Sequence, residues 1–191
     1  MALNHRTALL AKSRLTKEYK MICAEPIDNC VIKPDPLNIF SWHFIVDGIS
    51  DTLMCTTSTD KDGNKVQIPA KYYGTILFPN DYPMAPPSVF IHTPNGMIKP
   101  SESICMSMTS WHPESWHQSW GPRTVVLGLF VFLEDVYNRK ESSATAIWDF
   151  KIEHVAEYAK KSKLANVKIA EFCRIFPELA EEWKKAEEGT E

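Results

Sequence analysis

Cys105 stands in company suited to nucleophilic chemistry. His112, Glu114 and His117 follow it in one irregular stretch, and Asn95 precedes it. A thiol is strongly nucleophilic once ionised, and the thioester it forms stays reactive toward amines. Imidazole changes charge near neutrality, so a histidine here could take a proton from an attacking hydroxyl, and His112 is the stronger candidate of the two. Each residue also has a plain reading. Cysteines are often small buried hydrophobes, and on the residues alone that reading is open to Cys105 as it is to Cys23, Cys30, Cys55 and Cys173. The histidines can be ordinary surface residues, and Asn95 can simply shape a Pro94-Asn95-Gly96 turn. Drawing Cys105, His112, Glu114 and His117 as metal ligands matches no standard zinc spacing, and a metal would block the thiolate, so no metal is expected.

The elements that position these residues follow from periodicity. Ala8, Ala11, Leu15, Tyr19 and Ile22 share one helical face, which predicts a helix from about Thr7 to Ala24, ended by Pro26. The proline-rich stretch Lys33 to Pro36 reads as a loop. Phe40 to Val46, Tyr72 to Phe78 and Ser88 to His92 read as strands of an antiparallel meander. Between them, Leu53 to Thr57 and Val66 to Ile68 form a hairpin turning at Asp62-Gly63. From Thr93 to Gly121 regular periods disappear, and so long an irregular stretch in a compact domain usually carries function. Pro122 opens a helix where its missing N–H costs nothing. Arg123 to Tyr137 is apolar almost all round, which predicts a central buried helix. Asn138 to Ala146 reads as a loop, Trp148 to Leu164 and Asn166 to Trp183 as helices interrupted at Pro177, and Lys184 to Glu191 as a frayed end. The fold class is α+β, with segregated elements.

The totals bound the function. At 191 residues with 44% hydrophobic content the chain makes one packed domain, and a net charge of -3 gives no overall bias toward nucleic acid. An odd set of five cysteines without a C-x-x-C pair points to a reducing, cytoplasmic setting. Met1 to Leu10 lacks the pattern of a signal peptide, and no apolar run reaches the roughly 20 residues that a bilayer requires.

Four sequence elements in order carry a family resemblance. Phe78-Pro79-Asn80-Asp81-Tyr82-Pro83-Met84-Ala85-Pro86-Pro87 is followed by Asn95, by Ile104-Cys105, and by Trp120-Gly121-Pro122 before a helix. Over roughly Ala8 to Ala180 the chain resembles the ubiquitin-conjugating enzymes, so residues 8–180 are expected to be the catalytic core and 181–191 a charged extension. Thr93-Pro94-Asn95-Gly96, Ile104-Cys105-Met106-Ser107-Met108, His112-Pro113-Glu114-Ser115-Trp116 and Phe176-Pro177-Glu178 resemble the tail-anchored branch of the endoplasmic reticulum. That branch acts in degradation of proteins from that membrane.

The resemblance implies an acyl relay. The activating enzyme, using ATP, passes ubiquitin to Cys105, and an amine or hydroxyl of a protein substrate then takes it. No cofactor is implied at this protein. Asn95 would donate its amide to the oxyanion, and Met84 and Pro122 would meet the RING domain of a ligase. The basic side of the first helix would meet the activating enzyme. Trp111, Trp116 and Trp120 read as residues that pin the long loop.

Three departures accompany it. Thr93 stands where the family at large has a histidine. The acidic residue common after the central helix is not evident among Glu141 to Thr145. The hairpin before Tyr72 is an addition. The branch ends in a hydrophobic tail helix, which Lys184 to Glu191 does not supply, so membrane contact is expected only through an anchor beyond these residues. The alternatives are an inactive ubiquitin-binding scaffold of the same fold, a conjugating enzyme for another ubiquitin-like modifier, and an unrelated thiol enzyme.

Overall fold

The computed structural model describes residues 2–50, 52, 54–59, 63–139 and 152–188. Helix α1 spans Ala2–Ala24, and strands β1 Cys30–Asp35 and β2 Asn38–Asp47 follow. Strands β3 Cys55–Thr59 and β4 Lys65–Pro69 make the predicted hairpin as a separate two-stranded sheet. Strands β5 Lys71–Leu77 and β6 Ser88–Ile91 complete a four-stranded antiparallel sheet ordered β1-β2-β5-β6. Helices α2 Pro122–Arg139, α3 Ile152–Val167, α4 Ala170–Ile175 and α5 Pro177–Glu188 close the chain. Gly63, at φ +83, takes the left-handed turn conformation that its type permits.

The sheet has two covered faces, set by strand alternation. On one, Trp42, Phe44, Val46, Tyr72, Ile76, Val89 and Ile91 pack with Ala11, Leu15 and Ile22 of α1, Val125, Leu129 and Leu133 of α2, and Val155 of α3. On the other, Ile45 and Tyr73 pack under Phe172, Ile175, Phe176 and Trp183 of α4 and α5. Gly74 lies where β5 passes Phe44 and β6, and a Cβ there would collide with the Phe44 ring and the Phe90 carbonyl.

Five expectations are corrected. Lys33 to Asp35 is strand, not loop: β1 is an edge strand, where a proline such as Pro34 removes no ladder bond that the sheet needs. Helix α1 begins at Ala2, ahead of Thr7. Helix α2 is not buried all round, because only one side meets the core and Leu127 and Val131 are 50% and 66% exposed. The end of the chain is helical through Glu188 rather than frayed from Lys184. The boundary at 180 falls inside α5, where Trp183 stacks on Phe172 at 5.2 Å between ring centroids. Asp60 to Asp62 of the hairpin turn, Glu141 to Thr145, and Trp148 lie outside the described residues.

Candidate active site

Ser103 bridges Phe90 of β6, and the Ile104 N–H donates to the Val89 carbonyl at 2.8 Å, so the segment before Cys105 runs extended along the sheet edge. Ile104 is fully buried. Alternation then turns Ser103 and Cys105 to the opposite side, and the Cys105 thiol is half-buried at the surface.

The chain after Cys105 folds back over it. Thr109 is buried, and its hydroxyl lies 3.0 Å from the Ile104 carbonyl and 2.8 Å from that of Met106. The Thr109 carbonyl in turn accepts the His112 N–H. This compact turn delivers His112 to the thiol: Nε2 lies 3.2 Å from Cys105 Sγ. On the other edge of the ring, Nδ1 faces Glu114 Oε1 at 3.0 Å, from the 3₁₀ turn Pro113–Ser115. The Glu114 carboxyl is held below its usual pKa, first by its own backbone N–H and then by His112. A carboxylate facing Nδ1 favours the tautomer with hydrogen there and leaves Nε2 toward sulfur. The structure thus brings together Cys105, His112 and Glu114. His117 packs against the Trp120 ring instead.

Asn95 is buried and bonded within its turn through both Oδ1 and Nδ2. Its Oδ1 accepts the N–H groups of Met97 and Ile98 at 2.9 and 2.7 Å, and its Nδ2 donates to the Thr93 carbonyl at 3.0 Å. One hydrogen of Nδ2 is left over from that set. Gly96, at φ +76, passes so close to α3 that a Cβ would meet the Val155 nitrogen at 2.9 Å. Thr93 has a structural reason of its own. Its hydroxyl accepts the Tyr73 N–H at 2.7 Å and donates to Asn166 Oδ1 at 2.6 Å, fastening the Asn95 turn between β5 and α3.

The corner expected to meet a partner is held from α1. Glu18 accepts bonds from Tyr82 and Arg14, and Arg14 reaches the Trp120 carbonyl at 3.2 Å. Burial pushes the Glu18 carboxyl up against the opposing pull of these donors. Met84 is 61% exposed, so it is a surface residue and not core filling. Pro122, the other residue expected at that contact, is buried. It opens α2, and Met84 is the accessible member of the pair. Of the three tryptophans, Trp116 does pin the loop, donating to the Pro83 carbonyl at 2.8 Å. Trp111 is 51% exposed.

Among the described residues one group of metal-type ligands converges, Asp35, His43 and Glu171, away from Cys105 on the sheet face under α4. Arg174 already bonds both carboxylates there, with its guanidinium in the place a cation would take. Sequence reasoning missed Thr109, Asn166 and Glu18, and saw Glu114 only as a metal ligand to be rejected. The one local signal was the Arg14–Glu18 spacing of an i,i+4 pair.

No family model matches the chain. Among solved structures, it is similar to a ubiquitin-conjugating enzyme from Plasmodium falciparum, with TM-score 0.49 and 22% identity over 63% of this chain and 96% of that one. Among curated proteins, it is 36% identical over 173 residues to ubiquitin-conjugating enzyme E2 6 of Eremothecium gossypii, 90% of this chain and 64% of that protein. It is 34% identical to the ubiquitin-conjugating enzyme E2 J2-like protein of Dictyostelium discoideum, over 88% of each. With human ubiquitin-conjugating enzyme E2 J2 the identity is 31%, over 96% of this chain and 64% of that protein. The chain thus spans a little under two thirds of the length of several relatives. With 34% identity over 88% of each chain to one of these relatives, the chain belongs to the ubiquitin-conjugating enzyme family, in the branch that includes the E2 6 and E2 J2 proteins.

Proposed function

We propose that the protein accepts ubiquitin from the activating enzyme as a thioester on Cys105 and passes it, with a RING-type ligase, to lysine and to serine or threonine of protein substrates. The observation that carries this is the half-exposed Cys105 thiol facing His112 Nε2 at 3.2 Å, in a chain of this family. In the first step the Cys105 thiolate attacks the activating enzyme's thioester carbonyl. The new C–S bond forms as the old one breaks, and the activating enzyme's cysteine leaves as thiolate. In the second step the acceptor amine or hydroxyl attacks the carbonyl, and its C–N or C–O bond forms. The Cys105 thiolate departs, and the acceptor's proton passes to His112 Nε2.

His112 suits that last task. With sulfur acylated, Nε2 no longer has a thiol to face, and Glu114 keeps the ring oriented and balances the charge it acquires. The remaining hydrogen on Asn95 Nδ2 would stabilise the oxyanion, a contribution of roughly 100-fold or more where one such donor has been removed in other enzymes. Met84 offers a plastic apolar contact for the ligase.

The resemblance to the tail-anchored branch supports work at the cytosolic face of the endoplasmic reticulum, in degradation of proteins from that membrane. No helix of the described residues is long and apolar enough to cross a bilayer.

The test is incubation with activating enzyme, ATP and ubiquitin, followed by a non-reducing gel. The expected result is a ubiquitin adduct that dithiothreitol removes and Cys105→Ala abolishes. Absence of an adduct with ubiquitin or any related modifier would make the chain a scaffold. For His112, the expected result is a fall of roughly 100-fold in discharge to serine on His112→Ala. Equal discharge of variant and wild type to both serine and lysine would remove His112 from the mechanism.

A further inference from the structure

Trp111 and His112 are consecutive, and they reach alternate residues of the extended segment ahead of them. The Trp111 indole N–H donates to Ser103 Oγ at 3.2 Å, and His112 Nε2 faces Cys105 Sγ at 3.2 Å. Residues two apart on an extended chain lie roughly 7 Å apart on the same side. The indole is therefore moored one step from the sulfur, in line with the imidazole. Its only polar atom is satisfied by Ser103, yet the residue is 51% exposed. An apolar ring fixed at its nitrogen and open to solvent beside a nucleophile can receive an apolar segment of a reactant. Nothing in the reaction described above uses it.

The side on which Trp111 stands says which reactant. The acceptor must bring its proton to His112, so it approaches from the side of the imidazole. Trp111 is joined to that residue and lies on that side. We propose that Trp111 is an acceptor-binding residue that holds the aliphatic stem of the incoming lysine while its amine meets the thioester at Cys105. This rests on the proposed transfer from Cys105. It assigns a substrate-selecting role: the platform favours acceptors whose nucleophile is carried on a chain of methylenes. Serine and threonine, lacking a stem, gain nothing from it.

The experiment loads the full chain with ubiquitin and measures single-turnover discharge to amines that differ only in stem length: lysine, ornithine and 2,4-diaminobutyrate, with serine as the stemless control. Loading from the activating enzyme is measured in parallel. Wild type is expected to discharge fastest to lysine. Trp111→Ala is expected to lower discharge to lysine roughly tenfold, the effect of uncovering about two methylenes. It should erase the dependence on stem length, and leave serine discharge and loading within twofold. Trp111→Phe, which keeps an apolar ring, is expected to restore most of the lysine rate. A stem-length dependence unchanged in Trp111→Ala overturns the proposal. So does slowed loading with normal discharge, which would put Trp111 on the side of the donor's tail. A wild-type chain that never loads overturns the transfer reading itself, and is told apart because no thioester forms to be discharged.

Discussion

The hydroxyl of Thr93 donates to Oδ1 of Asn166 at 2.6 Å, across 73 residues of chain. Asn166 also donates from Nδ2 to the Lys71 carbonyl at 2.8 Å, so one α3 side chain secures both β5 and the turn that carries Asn95. Thr93 and Asn166 are both shielded from water, where an orphaned partner costs the full desolvation of a polar group. Asn166→Ala should lower unfolding stability by about 1–3 kcal/mol. Thr93→Val should do the same, since it leaves the Tyr73 N–H without its acceptor. Urea denaturation of both single variants and the double variant checks the coupling: the double should cost less than the sum. Strict additivity would mean that the bond contributes nothing of its own.

Asn95 combines two tasks whose effects separate on removal. Asn95→Ala leaves the buried N–H groups of Met97 and Ile98 without their acceptor. A loss of about 1–3 kcal/mol in stability is expected from each unsatisfied donor that water cannot reach. Discharge of the Cys105 thioester should also fall, by roughly 100-fold if the amide serves the oxyanion. Denaturation and single-turnover discharge, measured on the same preparation below its melting range, divide the roles. Full activity in a destabilised variant would leave Asn95 with the turn alone.

Much of this arrangement is legible in the sequence, and what is not has physical causes. Phe40, Trp42, Phe44 and Val46 alternate because they share the face toward the main core, and Ile45 blurs that pattern because the second face is covered as well. Cys105 was legible only through the motifs around it, Asn95 before and Trp120-Gly121-Pro122 after, while His112 was one of two histidine candidates in a stretch without regular period. β1 was hidden because Pro34 breaks the local strand pattern, and only a sheet edge tolerates it. The exposure of Leu127 and Val131 was hidden because an all-apolar run cannot say which side lacks a neighbour. Asn166 gave no local sign, since its partners Thr93 and Lys71 are distant in sequence.

Glu114 is the second partner of His112, and its removal tests the orientation of the ring. Glu114→Gln keeps an acceptor oxygen near Nδ1 but removes the negative charge that balances an imidazolium. Glu114 and His112 are both partly open to water, so the effect is expected to be moderate, roughly three- to tenfold on hydroxyl discharge. Discharge to serine as a function of pH is the measurement. The variant should fall furthest behind wild type where the transfer depends on a charged ring being stabilised. Parallel profiles of equal height would show that Glu114 plays no part.

The C-terminal helices are fastened to the outer sheet face by Arg174, which donates to both oxygens of Asp35 at 3.1 and 2.7 Å. That bond, together with the Leu37 N–H, holds the Asp35 carboxyl down at about 2. The folded pKa lies below the usual carboxylate value near 4, so the unfolded chain takes up the proton first. The stabilising contribution is therefore complete above about pH 4 and is lost as pH falls toward about 2. His43, buried beneath, is pushed down by burial against the pull of Glu171 and Asp35, so its charging as pH falls through the range below neutrality also works against the packed state. Arg174→Ala should lower stability modestly at neutral pH, since the guanidinium is open to solvent screening. It should also flatten the acid-side slope between pH 4 and 2. Denaturation midpoints across that range decide: an unchanged slope in Arg174→Ala would assign the acid sensitivity to groups other than Asp35.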